Sequence, residues 1–103
     1  MDLQLKNKTA LVTGASVGIG RGIAKALAAE GVRVAVSARR VDKLRELADE
    51  IVAAGGQAPV VIESDLYADD AAKRLAEAAL AGLGHVDILV NNAGGSRSFK
   101  ELH

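Results

Sequence analysis

The chain has 103 residues, 50% of them hydrophobic and 25% charged, with 13 Lys and Arg set against 13 Asp and Glu. That length holds one domain. The zero formal balance speaks against a nucleic-acid partner, which selects a basic surplus gathered on one face. With no cysteine, disulfide frameworks and thiolate metal sites are excluded, and a cytoplasmic address is the expectation. The opening Met1-Asp2-Leu3-Gln4-Leu5-Lys6 lacks a signal-peptide pattern, and no apolar run approaches the roughly 18 residues of a membrane span. Aromatic residues make up only 2%, so the core is expected to be aliphatic and alanine-rich.

Thr9–Thr13 reads as a short buried strand closed by Gly14. Helical spacing follows, with Ile19, Ile23, Ala26 and Leu27 on the expected inward face and a stop at Gly31. Val32–Val36 is the second strand. Leu44, Leu47, Ala48, Ile51 and Val52 then recur at helical spacing up to Gly55-Gly56. Val60–Ile62, just after Pro59, is the third strand. A third helix turns Ala71, Ala72, Leu75, Ala79, Leu80 and Leu83 inward. Asp69 and Asp70 stand at its start, where acidic charge suits the helix dipole. Val86–Asn91 is the fourth strand, and Ile88-Leu89-Val90 within it is expected to be covered on both faces. Strand and helix alternate throughout, the pattern of an α/β parallel sheet.

The chemistry concentrates at the first strand-to-helix turn, Thr13-Gly14-Ala15-Ser16-Val17-Gly18-Ile19-Gly20. Glycines there let a backbone turn tightly and a pyrophosphate approach, while the helix start offers unpaired N–H groups to the anion. The Gly-x-x-x-Gly-x-Gly spacing differs by one residue from the usual dinucleotide fingerprint. Glycines placed for steric reasons alone remain the other reading. Gly22 fits a role in packing the helix on the sheet. No Gly-Lys-Ser/Thr follows, so a P-loop is excluded. His85 and His103 have no ligand-spaced partner, and no metal site is expected.

Thr13-Gly14-x-x-x-Gly18-Ile19-Gly20 resembles the glycine motif of the short-chain dehydrogenases/reductases. Asn91-Asn92-Ala93-Gly94 matches a second motif of that family, and Ser64-Asp65-Leu66 resembles its adenine-binding segment. Within the family the chain is most similar to bacterial reductases of the 3-oxoacyl-carrier-protein reductase and sugar-dehydrogenase type. The resemblance implies a Rossmann-type doubly wound sheet, of which residues 1–103 form the first half, strand order 3-2-1-4. They would be the NADP-binding N-terminal portion of one domain whose remainder is absent. By the same resemblance Gly14, Gly18 and Gly20 form the pyrophosphate turn, lined by Ser16 and Ile19. Asp65 and Leu66 face the adenine; an exposed loop carboxylate is the alternative for Asp65. Asn92, Ala93 and Gly94 lie under the ribose, and Asn91 ties neighbouring strand ends together.

NAD-preferring relatives place an acidic residue where this chain has Ala38, and Arg39 and Arg40 follow. The missing carboxylate and the adjacent guanidinium groups favour a 2′-phosphate, hence NADP. Solvated charges at a helix start are the other reading of the two arginines. Val17 stands where many NADP-preferring relatives carry a second basic residue, which points to a modest preference.

The family's chemistry also requires a Tyr-x-x-x-Lys pair and a preceding serine. Tyr67 is the sole tyrosine and is followed four positions on by Ala71; Ser96 and Ser98 come too early to match the serine. No catalytic residue is therefore expected in this chain, which stops where the fourth helix should begin. The expectation is an NADP(H)-dependent oxidoreductase acting on a small carbonyl or alcohol and assembling as a dimer or tetramer when complete. This chain would supply the cofactor half and be inactive alone. The free edge of its fourth strand would invite association. Two alternatives remain: a non-catalytic dinucleotide-binding or regulatory module complete at this length, and an adenosyl-cofactor methyltransferase. Asn91-Asn92-Ala93-Gly94 speaks against the latter.

Overall fold

A computed structural model describes residues 5–65 and 69–92. Seven elements alternate along them: β1 (Thr9–Thr13), α1 (Gly18–Ala29), β2 (Arg33–Ala38), α2 (Val41–Ala53), β3 (Val60–Glu63), α3 (Ala71–Leu83) and β4 (Ile88–Val90). The four strands form one sheet in the order β3-β2-β1-β4, and every pairing is parallel. The parallel sheet is the one expected from the alternation, and its order is the Rossmann-like one that the family resemblance implied.

Residues alternate across each strand. Ala10, Val12, Val34 and Val36 enter one core with Ala24 and Ala28 of α1 and Leu44, Leu47 and Ile51 of α2. Leu11, Ala35 and Ile62 enter the other, with Leu75, Ala79 and Leu83 of α3. The crossovers through α1 and α2 step outward from β1, whereas the α3 crossover steps back past it. With a common hand of crossover, that reversal puts α3 on the opposite face. It also opens a crevice at the carboxyl ends of β1 and β4, where sheets of this kind receive ligands.

Several element details differ from the sequence expectation. The second strand begins at Arg33, not Val32, and runs on to Ala38. The Val32 N–H is spent on the Leu27 carbonyl at 3.1 Å, closing α1, so the ladder with β1 starts one residue later. On α1 the buried residues are Gly20, Ala24 and Ala28, whereas Ile19 is 74% exposed and Ala26 is exposed too. Ile23 and Leu27 only flank the contact. A helix that presses its smallest residues on the sheet comes closer than one that presses isoleucine. Val52 and Leu80, expected inward on α2 and α3, are about half exposed, and Ala72 is exposed.

The fourth strand shortens to Ile88–Val90 because side chains take over both ends. At the first end, the Asp87 carboxylate accepts the Thr9 N–H at 2.9 Å and the Thr9 hydroxyl at 3.2 Å. The Asp87 N–H in turn is shared between the Thr9 hydroxyl oxygen at 3.0 Å and the Thr9 carbonyl at 3.1 Å. The Thr9 N–H bond holds the Asp87 carboxyl below its ordinary range against the opposing cost of desolvation, and His85 adds to the lowering. Leu89 pairs in register with Leu11 yet is 63% exposed, since α3 packs over β2 and β3. Coverage of Ile88-Leu89-Val90 on both faces is thus not found among the described residues. At α3, Asp70 is the N-cap residue in a left-handed conformation, and its side chain makes no capping bond.

Candidate functional site

The glycine turn leaves β1 at its carboxyl end and is pinned at once to the next strand. The Ala15 N–H donates to the Ser37 carbonyl at 3.1 Å, and Ala15 is fully buried. Gly14 and Gly18 take φ values of 62° and 63°, the left-handed region that side chains disfavour. Gly20 needs its hydrogen for another reason: a Cβ there would collide with the Gly14 carbonyl oxygen and lie 2.7 Å from Asn92 Nδ2.

The α1 N-terminus faces this turn without a cap. Val17 occupies the N-cap in an extended conformation with no side-chain capping bond, and the first turn holds no acidic residue. Four backbone donors at a helix start need partners. The positive end of the helix dipole lies behind them, the setting in which a helix start can receive an anion. Ser16 is half-buried, while Val17 and Ile19 are exposed at the mouth. A diphosphate fits this cradle: it supplies acceptors to the uncapped donors and approaches a backbone without Cβ atoms in its way.

The end of β4 joins the turn through Thr13. Its hydroxyl accepts the Asn92 N–H at 2.9 Å and is 3.1 Å from Asn91 Oδ1, to which it donates. Asn91 thus ties the ends of β1 and β4 together, the role read from the sequence. The Asn92 side chain reaches the Gly14 carbonyl at 3.5 Å. The structure therefore brings Gly14, Gly20 and Asn92 into one cluster, with Ser16, Gly18 and Ile19 on its rim. Thr13, whose hydroxyl fastens that cluster, was legible only as part of a motif; a buried threonine ending a strand before glycine was its signal.

Across the sheet, the Ser64 N–H donates to the Ala38 carbonyl at 3.0 Å, so the chain ends carrying Arg39 and Asp65 are neighbours. Both residues are exposed. Arg40 behaves differently from Arg39. Its Nε and Nη2 donate to the two Asp42 carboxylate oxygens at 3.0 and 2.8 Å. That side-chain bond raises the Arg40 pKa and lowers that of Asp42. The sequence reading missed Asp42; an acidic residue two positions after an arginine at a helix start was the available signal. Leu66, Ala93 and Gly94, three of the expected site residues, lie outside the described residues, as do Tyr67, Ser96 and Ser98. Among the described residues no helix is long and apolar enough to cross a membrane.

The parallel sheet, its glycine turn and the asparagine at the crevice have the architecture of the dinucleotide-binding α/β proteins. The chain belongs to the short chain dehydrogenase family, whose sequence model it matches over residues 8–103. It is 46% identical over 89 residues to a 3-oxoacyl-[acyl-carrier-protein] reductase of Staphylococcus epidermidis, covering 85% of this chain and 36% of that protein. A metagenomic short-chain oxidoreductase solved in complex with NADP superposes with a TM-score of 0.80 at 48% identity, over 86% of this chain and 40% of that one. A 7α-hydroxysteroid dehydrogenase solved with NADH and 7-oxo glycochenodeoxycholic acid gives 0.85 at 42% identity, over 91% and 36% respectively. The chain spans about a third of the length of the curated relatives it matches.

Proposed function

We propose that this chain is the cofactor half of an NADP(H)-dependent oxidoreductase that interconverts a small carbonyl compound and its alcohol. The observation that carries this reading is the uncapped start of α1 behind a turn in which Gly20 has no room for a Cβ. In this reading the α1 N–H groups hold the pyrophosphate between Gly14, Gly18 and Gly20, with Ser16 and Ile19 lining it. Asp65 and Leu66 face the adenine, and Asn92, Ala93 and Gly94 support the ribose next to the nicotinamide. The bound nicotinamide supplies or accepts the hydride. The remaining tasks are to align it and to move a proton at the substrate oxygen. The chain's own residues do the holding and aligning. Proton transfer is assigned to residues of the longer protein, with none in this chain. The same reading includes a dimer or tetramer. Leu89 and the outer edge of β4, unpaired among the described residues, are surfaces for the rest of the protein or a second copy to cover.

Arg39 supports the choice of NADP. It is exposed at the end of β2, directly after Ala38, with no carboxylate at that position to repel a 2′-phosphate. One charge-assisted hydrogen bond is worth about 1.5–3 kcal/mol, or roughly a ten- to hundredfold preference. The test is the ratio of NADPH to NADH dissociation constants in the full-length protein, with Arg39→Ala beside it. The variant is expected to lose the preference while keeping NADH affinity. Equal affinities in the unaltered protein would refute the assignment.

A further inference from the structure

Two arginines follow β2, but the structure does not treat them alike. Arg40 is the residue before α2, and both arms of its fork are spent on Asp42, at 3.0 Å from Nε and 2.8 Å from Nη2. This is the two-bond geometry in which a guanidinium also grips a phosphate. A guanidinium engaged this way offers neither its best face nor its full charge to a second anion. Among the described residues, Arg39, one residue earlier, makes no side-chain bond of this kind. Lys43 is drawn the other way, 3.6 Å from Glu46, one turn further along α2. The side chains of Arg40 and Asp42 are 66% and 62% exposed, so the fork is open to competition from solvent and ligand.

We propose that Asp42 is a specificity-determining positioning residue: by occupying the Arg40 fork, it limits recognition of a cofactor 2′-phosphate to Arg39. This rests on the NADP reading above and adds to it a residue that tunes the strength of the preference. Asp42 acts twice in the same direction. It withholds one guanidinium, and it keeps a negative charge two residues from that guanidinium, at the α2 start where a phosphate would otherwise be welcome. Exposed ion pairs are weak, so releasing Arg40 is expected to tighten phosphate binding about three- to tenfold.

The experiment uses the full-length protein and two fragments that need no nicotinamide pocket, 2′,5′-ADP and 5′-AMP, titrated by calorimetry. Asp42→Asn is expected to bind 2′,5′-ADP about three- to tenfold more tightly while 5′-AMP is unchanged. Adding Arg40→Ala is expected to abolish that gain. A residue that merely supports the helix would move both ligands together. The proposal is overturned if Asp42→Asn leaves 2′,5′-ADP binding unaltered, shifts both ligands equally, or keeps its gain without Arg40. In each of those cases a loss of 2′,5′-ADP affinity in Arg39→Ala leaves the NADP reading standing. If the unaltered protein binds both fragments equally and Arg39→Ala changes nothing, the NADP reading fails, and the proposal fails with it.

Discussion

Alanine placed at three glycines of the same short stretch is expected to give three different results. At Gly20 the new Cβ meets the Gly14 carbonyl oxygen, which is backbone, and the Asn92 amide, which is the far end of a side chain. Asn92 is able to swing away; Gly14 yields only if the turn is reshaped. Overpacking of this sort costs about 1–3 kcal/mol, and alanine's better helix propensity offsets about 1 kcal/mol. The net loss is about 0–2 kcal/mol. At Gly18 nothing lies within 4 Å of a Cβ, but the backbone φ is +63°. The cost there is about 1–2 kcal/mol from conformation alone. At Gly22 nothing lies within 4 Å and the backbone is ordinary helix, so alanine is expected to gain about 0.5–1 kcal/mol. Urea unfolding of the three full-length variants measures the stabilities, and NADPH titration measures the site. Gly18→Ala and Gly20→Ala, by disturbing one charge-assisted bond worth about 1.5–3 kcal/mol, are expected to weaken NADPH about ten- to a hundredfold. Gly22→Ala leaves it unchanged. Equal destabilisation at all three positions, or a Gly20→Ala protein that binds and unfolds like the original, would refute this account of the turn.

Two other expected outcomes concern the fastenings of β4. Thr13→Val removes the acceptor of the Asn92 N–H and is expected to cost about 1–3 kcal/mol in urea unfolding; Thr13→Ser, which keeps the hydroxyl, recovers most of it, and a valine variant of full stability would contradict the bond's role. Asp87 has a depressed folded-state pKa, so its contribution is present above its ordinary range and is lost as pH falls through the folded value. The melting temperatures of the original protein and Asp87→Asn are therefore expected to differ most near neutrality and to converge below about pH 4; a gap that is constant with pH would show that the Thr9 bonds do not depend on the charge.

The alternation of strands and helices was legible because each buried strand is a short run of β-branched and small apolar residues between glycines or turns. Thr9–Thr13 matched to the residue. The inward face of α1 was not legible. Periodicity weights large apolar side chains and selected Ile19, whereas the helix meets the sheet through Gly20, Ala24 and Ala28, which hydropathy ranks low or neutral. Boundaries at Val32 and Val86 moved because hydrogen bonds from neighbouring elements claimed their ends of the ladder. At the site, the turn glycines and Asn92 were legible as a motif, and their closeness follows from the parallel order. The division between Arg39 and Arg40 was not. Two adjacent arginines are equivalent in a sequence until a carboxylate two residues on occupies one of them.

The glycine and alanine contact between α1 and the sheet has a consequence for engineering. Leucine and isoleucine contacts adjust by changing rotamer when a neighbour changes, and so absorb small displacements. Gly20, Ala24 and Ala28 have no rotamers to exchange, so the helix rests on the strands at one separation. A shift of β1 or β2 therefore passes undamped to the N–H groups at the helix start. Repacking beneath α1 would therefore move the start of the helix with every substitution. Arg39, Arg40 and Asp42 are exposed and impose no such coupling, so redesign at these three positions leaves the helix contact in place.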